Sequence, residues 1–279
     1  MNTDVMTTRI AFICGLSLVF LTGTSSQAQT PAINAGGIVN AASFDPGQPL
    51  AAGSLVAIFG TQLAPGLAQA DTVPLSTSLS NVSVSFNGIA APLDFVSAGQ
   101  INAQIPYETL PPGGSGTINV TVTNAGAVSA PEPIVINPVA PGVFAVNGHA
   151  IAIIATDPSD PRYGTLAAPS GSIPGLTTSP AHANDVLIVY ATGLGAVTPA
   201  VQSGHDSLDQ LRTTVLTPTV LMGNVPSPLY FSGLTPQFPG VYQVNVGVPQ
   251  VTPGNAVPLQ VQINGITSPA TANIAVVGL

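Results

Sequence analysis

Charged and large aromatic side chains are scarce in this chain. It has no lysine and no tryptophan, and its basic residues are Arg9, Arg162 and Arg212. Charged residues make up 5% of the chain, whereas soluble domains typically have about a quarter. Binding to nucleic acids requires basic side chains that displace counterions from phosphates, so the composition excludes nucleic-acid partners. A net charge of −8 also argues against docking onto anionic lipid head groups.

Cysteine is nearly absent too, and its one occurrence lies in an apolar N-terminal segment. Met1–Arg9 is short and carries one positive charge, and Ile10–Leu21 is apolar but short for a bilayer span. Ser26 and Ala28 place small residues at the −3 and −1 positions of a cleavage site. The pattern predicts a signal peptide over residues 1–28 and a protein exported to the periplasm, the outer surface or the extracellular space. An uncleaved membrane anchor is the alternative.

The predicted mature protein contains no cysteine, because Cys14 lies within the apolar segment. This excludes disulfides, thiolate metal sites and a cysteine nucleophile. We expect no membrane span after cleavage, and we expect the folded part to be stabilised by its core alone.

Helical periodicity is hard to find, since the chain has 29 glycines and 28 prolines. Strand patterns are frequent instead. Val82–Phe86 alternates apolar and polar residues, and Asn87-Gly88 follows as a tight hairpin turn. Ile118–Val122 and Leu259–Ile263 alternate in the same way. These short strands and frequent turns predict an all-β, antiparallel sandwich fold.

Several segments of the chain occur twice. The matched pairs are Gly53–Leu63 with Asn184–Leu194, Asn87–Phe95 with Asn224–Phe231, Gln100–Pro106 with Gln243–Pro249, and Gly116–Gly126 with Val257–Gly265. A spacing of roughly 130–140 residues is too long for a solenoid repeat and indicates a duplicated domain. We therefore predict one sandwich over residues 29–137 and a second over residues 138–279, which begins with a lead-in hairpin.

The duplication predicts which positions are equivalent. Phe59 should superpose on Tyr190, Phe95 on Phe231, and Asn102 on Asn245. Aromatic residues shared by both copies are expected in the core. The two asparagines lie mid-strand, and we expect their side chains on the outer face or bonded to backbone, because a buried amide without a partner costs about 1–3 kcal/mol.

The order of these motifs resembles the IPT/TIG class of immunoglobulin-like domains. More closely, residues 36–276 resemble a C-terminal module of secreted Acidobacteria proteins, the Solibacter-type family. The motifs that carry this resemblance are Gly36–Phe44, Gln100–Glu108, Ala140–Phe144, Tyr190–Pro199 and Gly240–Pro249. The resemblance implies two tandem immunoglobulin-like domains and an exported protein, and it implies no catalytic residues.

The side chains that could support catalysis or bind a metal are dispersed. The histidines are far apart, show no zinc-binding spacing and all fall in predicted loops; they are His149, His182 and His205. Two loops offer carboxylates that Ca²⁺ would accept, but neither has the density of a dedicated site; these carboxylates are Asp157, Asp160, Asp206 and Asp209. No G-x-S-x-G motif is present. We predict no catalytic residue, no metal ligand and no cofactor.

Ligand-contact candidates are aromatic residues without a counterpart in the other copy, since shared positions are more often scaffold. These candidates are Tyr107, Tyr163, Phe238 and Tyr242. The leading hypothesis is a secreted or cell-surface, non-enzymatic binding or adhesion protein whose partner is an extracellular protein or glycan. A structural subunit or spacer that self-assembles is one alternative. A carbohydrate-binding module, with Tyr107, Tyr163 or Tyr242 stacking on sugar rings, is another.

Overall fold

The computed structural model describes residues 30–278, which form an all-β fold. The predicted signal peptide at residues 1–28 lies outside the described residues. Within the described range there is one 3₁₀ turn, Tyr107–Thr109, and no α-helix. The all-β prediction is therefore confirmed.

Strands β1–β11 lie in the first half of the chain. They are β1 Ala32–Asn40, β2 Leu50–Ala51, β3 Leu55–Thr61, β4 Ala68–Gln69, β5 Val82–Phe86, β6 Ile89–Ala90, β7 Leu93–Val96, β8 Gln100–Gln104, β9 Gly116–Asn124, β10 Ala127–Val128 and β11 Glu132–Asn137. One sheet has the order β1-β3-β8-β7-β4, and the other has the order β2-β11-β9-β5-β6 with β10 beside β9. Alternate residues of both sheets face a shared core that includes Val56, Ile101 and Phe86.

Strands β12–β28 lie in the second half. They are β12 Gly142–Val143, β13 Ala145–Val146, β14 His149–Ala150, β15 Ala152–Ile154, β16 Leu166–Ala167, β17 Thr178–Ser179, β18 Ala181–His182, β19 Val186–Thr192, β20 Val197–Thr198, β21 Thr213–Thr214, β22 Thr219–Met222, β23 Val225–Pro226, β24 Leu229–Leu234, β25 Tyr242–Gly247, β26 Gly254–Ile263, β27 Ile266–Thr267 and β28 Asn273–Val277. One sheet runs β17-β16-β15-β19-β25-β24-β21-β20, and the other runs β13-β14-β28-β26-β22-β23. A second core between them includes Leu187, Val244 and Leu259.

Most strand pairs are antiparallel, as the sequence predicts, but some short ones are parallel. These pairs are β2 with β11, β14 with β28, β16 with β17, and β18 with β28. Each involves a two-residue strand, and sequence alternation over two residues carries no information about direction.

The tight hairpin turns form where Asn-Gly pairs predict them. Asn87 and Gly88 both have positive φ, 53° and 88°, as do Asn264 and Gly265, at 50° and 76°. Two successive positive φ angles match the right-handed twist of the flanking strands. The turns therefore set the register of β5 with β6 and of β26 with β27.

Strand register supports the duplication directly. In the first copy Phe59 pairs with Gln100, and Phe95 pairs with Asn102. In the second copy the matching pairs are Tyr190 with Gln243 and Phe231 with Asn245. Each copy also has a register irregularity one residue before its phenylalanine, between Leu93 and Phe95 and between Leu229 and Phe231.

The burial expected for the shared aromatics is wrong. Phe59, Tyr190, Phe95 and Phe231 are all half-buried and lie outside both cores. The cores are filled by the alternate positions instead, such as Ile58. An apolar run does not reveal which of its faces points inward, so the run Leu55–Phe59 allowed either choice.

The two asparagines are half-buried and have side-chain partners. Gln100 Nε2 donates to Asn102 Oδ1 at 2.8 Å, and Gln243 Nε2 donates to Asn245 Oδ1 at 2.9 Å. The partner in each copy is thus a glutamine side chain rather than backbone, which satisfies one amide oxygen without a change of register.

The lead-in segment of the second half has a small apolar cluster of its own. Leu166, Ala168 and Ile173 are buried together, with Ile151 and Ile153 packed against them. Strand β15 joins the segment to the sandwich through antiparallel pairing with β19.

Candidate functional site

The two sandwiches are joined by hydrogen bonds that are buried or partly buried. Thr192, at the end of β19, is 0% exposed. Its Oγ1 accepts a hydrogen bond from the Leu55 N–H at 2.9 Å and donates one to the Gly240 carbonyl at 2.8 Å. One hydroxyl therefore links β3 of the first sandwich to the β24–β25 loop of the second.

Gly204 forms a second junction. Its N–H donates to Gln104 Oε1 at 2.6 Å, and its carbonyl accepts from the Leu75 N–H at 2.9 Å. Gln104 is 1% exposed and also donates from Nε2 to the Gly53 carbonyl at 3.0 Å. The loop that carries Gly204 is thus held between two segments of the first sandwich.

Further contacts extend this interface on both sides. Asn40 Nδ2 donates to the Ala140 carbonyl at 3.0 Å, and the Tyr107 N–H donates to Ser203 Oγ at 2.9 Å. Because an unmade hydrogen bond at a buried group is costly, these pairs favour one relative orientation of the two sandwiches.

A cleft of about 570 Å³ lies between the sandwiches beside these junctions. Its volume falls within the range typical of small-molecule sites. The wall from the first sandwich consists of Leu55, Ala70, Asp71, Thr72, Val73, Leu75 and Asp94, and the wall from the second consists of Phe144, Ile151, Tyr190, Gln237, Phe238, Pro239 and Val241. Apolar and aromatic side chains predominate, with Asp71 and Asp94 as the charged groups.

Asp94 occupies the position of the register irregularity in β7, between Leu93 and Phe95. Bulges of this kind redirect a side chain away from the regular alternation of the strand. The equivalent residue in the second copy is Tyr230, which is 61% exposed and does not line the cleft. Burial raises the pKa of the Asp94 carboxyl above its usual value.

Sequence reasoning did not select Asp94, although a signal for it was present. The duplicated segments align Asp94 with Tyr230, so the position is specific to one copy. The ligand-contact candidates predicted from the sequence are all aromatic and therefore do not include this carboxylate.

Two of the four aromatic candidates have hydroxyl groups that are buried. Tyr242 is 0% exposed, and its hydroxyl donates to the Gly195 carbonyl. The Tyr107 hydroxyl is buried as well, and burial raises the pKa of Tyr107 to about 12. Tyr242 therefore offers no surface on which a sugar ring could stack.

The other two candidates are exposed but separate. Phe238, 57% exposed, lines the cleft. Tyr163, 47% exposed, lies in the turn between β15 and β16 and is not among the cleft residues. The structure thus brings Phe238 and Asp94 to one site and leaves Tyr163 outside it.

The loop aspartates have protein partners. Asp157 Oδ1 accepts from the Ser159 N–H at 2.9 Å, and Asp160 forms an ion pair of 2.6 Å with Arg162. Asp209 forms an ion pair of 2.5 Å with Arg212, which together with hydrogen bonds lowers the pKa of Asp209 to about 2. The absence of a metal site remains a prediction.

Two of the histidines are not in loops, contrary to expectation. His149 and His182 lie in the two-residue strands β14 and β18, and His205 lies in a turn. Within residues 30–278 no three His, Cys, Asp or Glu side chains gather in a way that could hold a metal ion. Over the same range, no helix has the length and apolar character needed to cross a membrane.

Comparison with known proteins identifies one family. Residues 42–135 match the IPT/TIG domain. This segment falls within the first sandwich, and immunoglobulin-like domains of this family are typical of extracellular binding and adhesion modules. No curated protein matches the chain.

Two solved structures with a similar fold are distant from this chain in sequence. The extracellular region of plexin A4 (domains 1 to 8) is 12% identical with a TM-score of 0.29, and the match covers 90% of this chain and 18% of plexin A4. Domains 5–6 of the S-layer protein SbsC are 11% identical with a TM-score of 0.27, and the match covers 89% of this chain and 99% of that one. The chain thus spans less than a fifth of the plexin structure, and these scores carry no argument about function.

Proposed function

We propose that this is an exported, non-enzymatic binding protein whose ligand site is the cleft between its two immunoglobulin-like domains. The predicted signal peptide, the IPT/TIG match and the resemblance of residues 36–276 to the Solibacter-type module support export and an extracellular role. The observation that carries the proposal is the cleft of about 570 Å³. Both domains contribute apolar walls to it, and buried hydrogen bonds hold those walls in place.

The cleft also has the composition of a ligand site. Leu55, Ile151 and Val241 supply apolar surface, and a few polar groups stand among them. Sites for small molecules usually combine a mostly apolar lining with a small number of polar groups that orient the ligand. Catalysis instead requires a nucleophile, acid or base within reach of a partner group. The lining carries no histidine or cysteine, and within residues 30–278 its carboxylates, Asp71 and Asp94, have no hydrogen-bonded side-chain partner.

A neutral apolar dye tests this site. Nile red is expected to bind the protein saturably with one site per chain, and Thr72→Trp, which places a large ring in the cleft, is expected to weaken binding at least tenfold. Thr77→Trp is the matched control, because Thr77 lies on the same exposed loop but outside the cleft lining. Fluorescence titration measures both variants. Equal binding by the two variants, or no saturable binding at all, would contradict the proposed site.

Export is tested separately from binding. Expression of the whole chain in a bacterial host with a secretion pathway is expected to yield a mature protein that begins at Gln29. N-terminal sequencing of the protein from the periplasm or the medium measures this. A product that still begins at Met1 and stays with the membrane after a carbonate wash would instead support the uncleaved anchor.

A further inference from the structure

The charged groups of the cleft have one sign. Asp71 and Asp94 are both acidic, and none of the residues that line the cleft is basic. Asp71 is exposed to solvent, whereas Asp94 is half-buried. The electrostatic potential inside the cleft is therefore negative, and solvent screens the charge of Asp94 less than that of Asp71.

Asp94 is a half-buried carboxylate without a partner. Asp160 and Asp185 form ion pairs with Arg162, whereas Asp45 and Asp206 are half-buried without an ion pair and lie outside the cleft lining. No hydrogen bond or ion pair to the Asp94 carboxylate occurs among residues 30–278, and burial is the one cause of its raised pKa. Partly buried charges are usually paired, so this group stands as an unmatched anion on the wall of an apolar cleft.

Neither a lysine nor a free arginine is available to Asp94 within residues 30–278. The chain has no lysine. Arg162 is held by Asp160 and Asp185, and Arg212 is held by Asp209. Within residues 30–278, a second copy has no lysine and no unpaired arginine to offer either, so we look for the cation in a different molecule.

The rest of the lining favours a cation with an apolar body. Phe144, Tyr190 and Phe238 contribute aromatic surface from the second sandwich. Aromatic rings attract organic cations through the negative face of the ring, and they also bury aliphatic or aromatic carbon. A small hydrated metal ion would leave most of this apolar surface in contact with water, whereas a cleft of about 570 Å³ accommodates a small organic molecule.

We propose that the cleft binds a small organic ammonium compound, with the ammonium group beside Asp94 and the apolar body against the aromatic wall. This inference rests on the proposed function, because it names the ligand class of the same cleft. The selectivity follows from the Asp94 carboxylate, since the apolar lining alone does not distinguish a cation from a neutral molecule of the same shape.

Three probes of one shape test the selectivity: 4-phenylbutylammonium, neutral 4-phenylbutan-1-ol and the 4-phenylbutyrate anion. At pH 7.5 and low salt the ammonium is expected to bind at least tenfold more tightly than the alcohol, and the carboxylate is expected to bind most weakly. Asp94→Asn is expected to remove the preference for the ammonium and to change the affinity for the alcohol less than twofold. Isothermal titration calorimetry measures all three probes on both proteins.

Two controls separate this site from general attraction to an acidic protein. Asp206→Asn removes one negative charge outside the cleft lining and is expected to keep the preference for the ammonium. Thr72→Trp is expected to weaken binding of the ammonium and the alcohol alike. If the ammonium and the alcohol bind equally well and Thr72→Trp weakens the binding of each, the ammonium inference is wrong but the proposed cleft stands. If Thr72→Trp leaves their binding unchanged, or if neither probe binds, the ammonium inference and the proposed cleft are both wrong.

Discussion

Replacing Thr192 with valine is expected to lower the free energy of unfolding by about 2–5 kcal/mol. Valine keeps the shape of threonine but removes the hydroxyl that accepts from the Leu55 N–H and donates to the Gly240 carbonyl. Two backbone groups then lose their partner; a buried group without a partner costs about 1–3 kcal/mol, and the part-buried Leu55 N–H is expected to cost less than the buried Gly240 carbonyl. Equilibrium unfolding in urea, followed by circular dichroism, measures the change.

The duplication supplies a matched control for this variant. Thr61 occupies the equivalent position at the end of β3, but its side chain is exposed. Thr61→Val is therefore expected to change the free energy of unfolding by less than about 0.5 kcal/mol, as surface substitutions usually do. A Thr192→Val protein as stable as Thr61→Val would show that the hydroxyl does not hold the domains together.

The same hydroxyl also contacts both walls of the cleft that we propose as the ligand site. Leu55, which it anchors, lines the cleft, and so does Val241, which follows Gly240 in the chain. Loss of the two hydrogen bonds frees both walls at once. The interface thus links folding energy to the geometry of the site, because the cleft exists only while the two sandwiches keep their relative orientation.

Local patterns of the sequence predicted much of the fold. The alternation in Val82–Phe86 and the Asn87-Gly88 pair determine a strand and a turn within a few residues, so no distant contact is needed to read them. The internal repeat predicted which positions of the two copies are equivalent, and the strand register agrees with it, since Asn102 pairs with Phe95 as Asn245 pairs with Phe231.

The candidate site was much less accessible to such reasoning. Whether Tyr190 faces a core or a cleft depends on a sheet that is completed by distant strands, and the run Val186–Tyr190 is apolar on both faces. The junction at Thr192 depends on the orientation of two domains, and Thr61 has the same residue type at the equivalent position without such a role. Residue type alone therefore could not show that Thr192 forms a junction and that Thr61 does not.

Asp185→Asn is expected to destabilise the protein by about 2–3 kcal/mol at pH 7, and this loss is expected to fade in acid. Asp185 is 5% exposed. Its Oδ2 accepts from Arg162 Nη1 at 2.5 Å and from the His182 N–H at 2.7 Å, and its Oδ1 accepts from Thr156 Oγ1 at 3.1 Å. Breaking a buried ion pair costs about 3–5 kcal/mol, and a loss at or below the lower end of that range is expected here because Arg162 keeps Asp160 and is partly solvated.

The pH dependence follows from the direction of the pKa shift. Burial raises the pKa of the Asp185 carboxyl, but the bonds from Arg162, the His182 N–H and Thr156 outweigh it and lower the pKa below its usual value. The unfolded chain therefore binds this proton more readily than the folded one. The stabilisation is complete above the unfolded pKa, about 4, and is lost as pH falls through the lower, folded pKa.

Urea unfolding of the parent protein and of Asp185→Asn between pH 7 and pH 2.5 measures the difference in their free energies of unfolding. Asp206→Asn is the control, because it removes a turn carboxylate that has no ion pair. The difference between the parent protein and Asp185→Asn is expected to stay constant down to about pH 5 and to shrink below pH 4. A difference that is the same at every pH would mean that the ionised form of Asp185 is not what stabilises the fold. Arg162 lies in the turn between β15 and β16, and Asp185 directly precedes β19, so their ion pair links the lead-in segment to the second sandwich. That result would therefore mean that any loss of stability in acid arises elsewhere than at this ion pair.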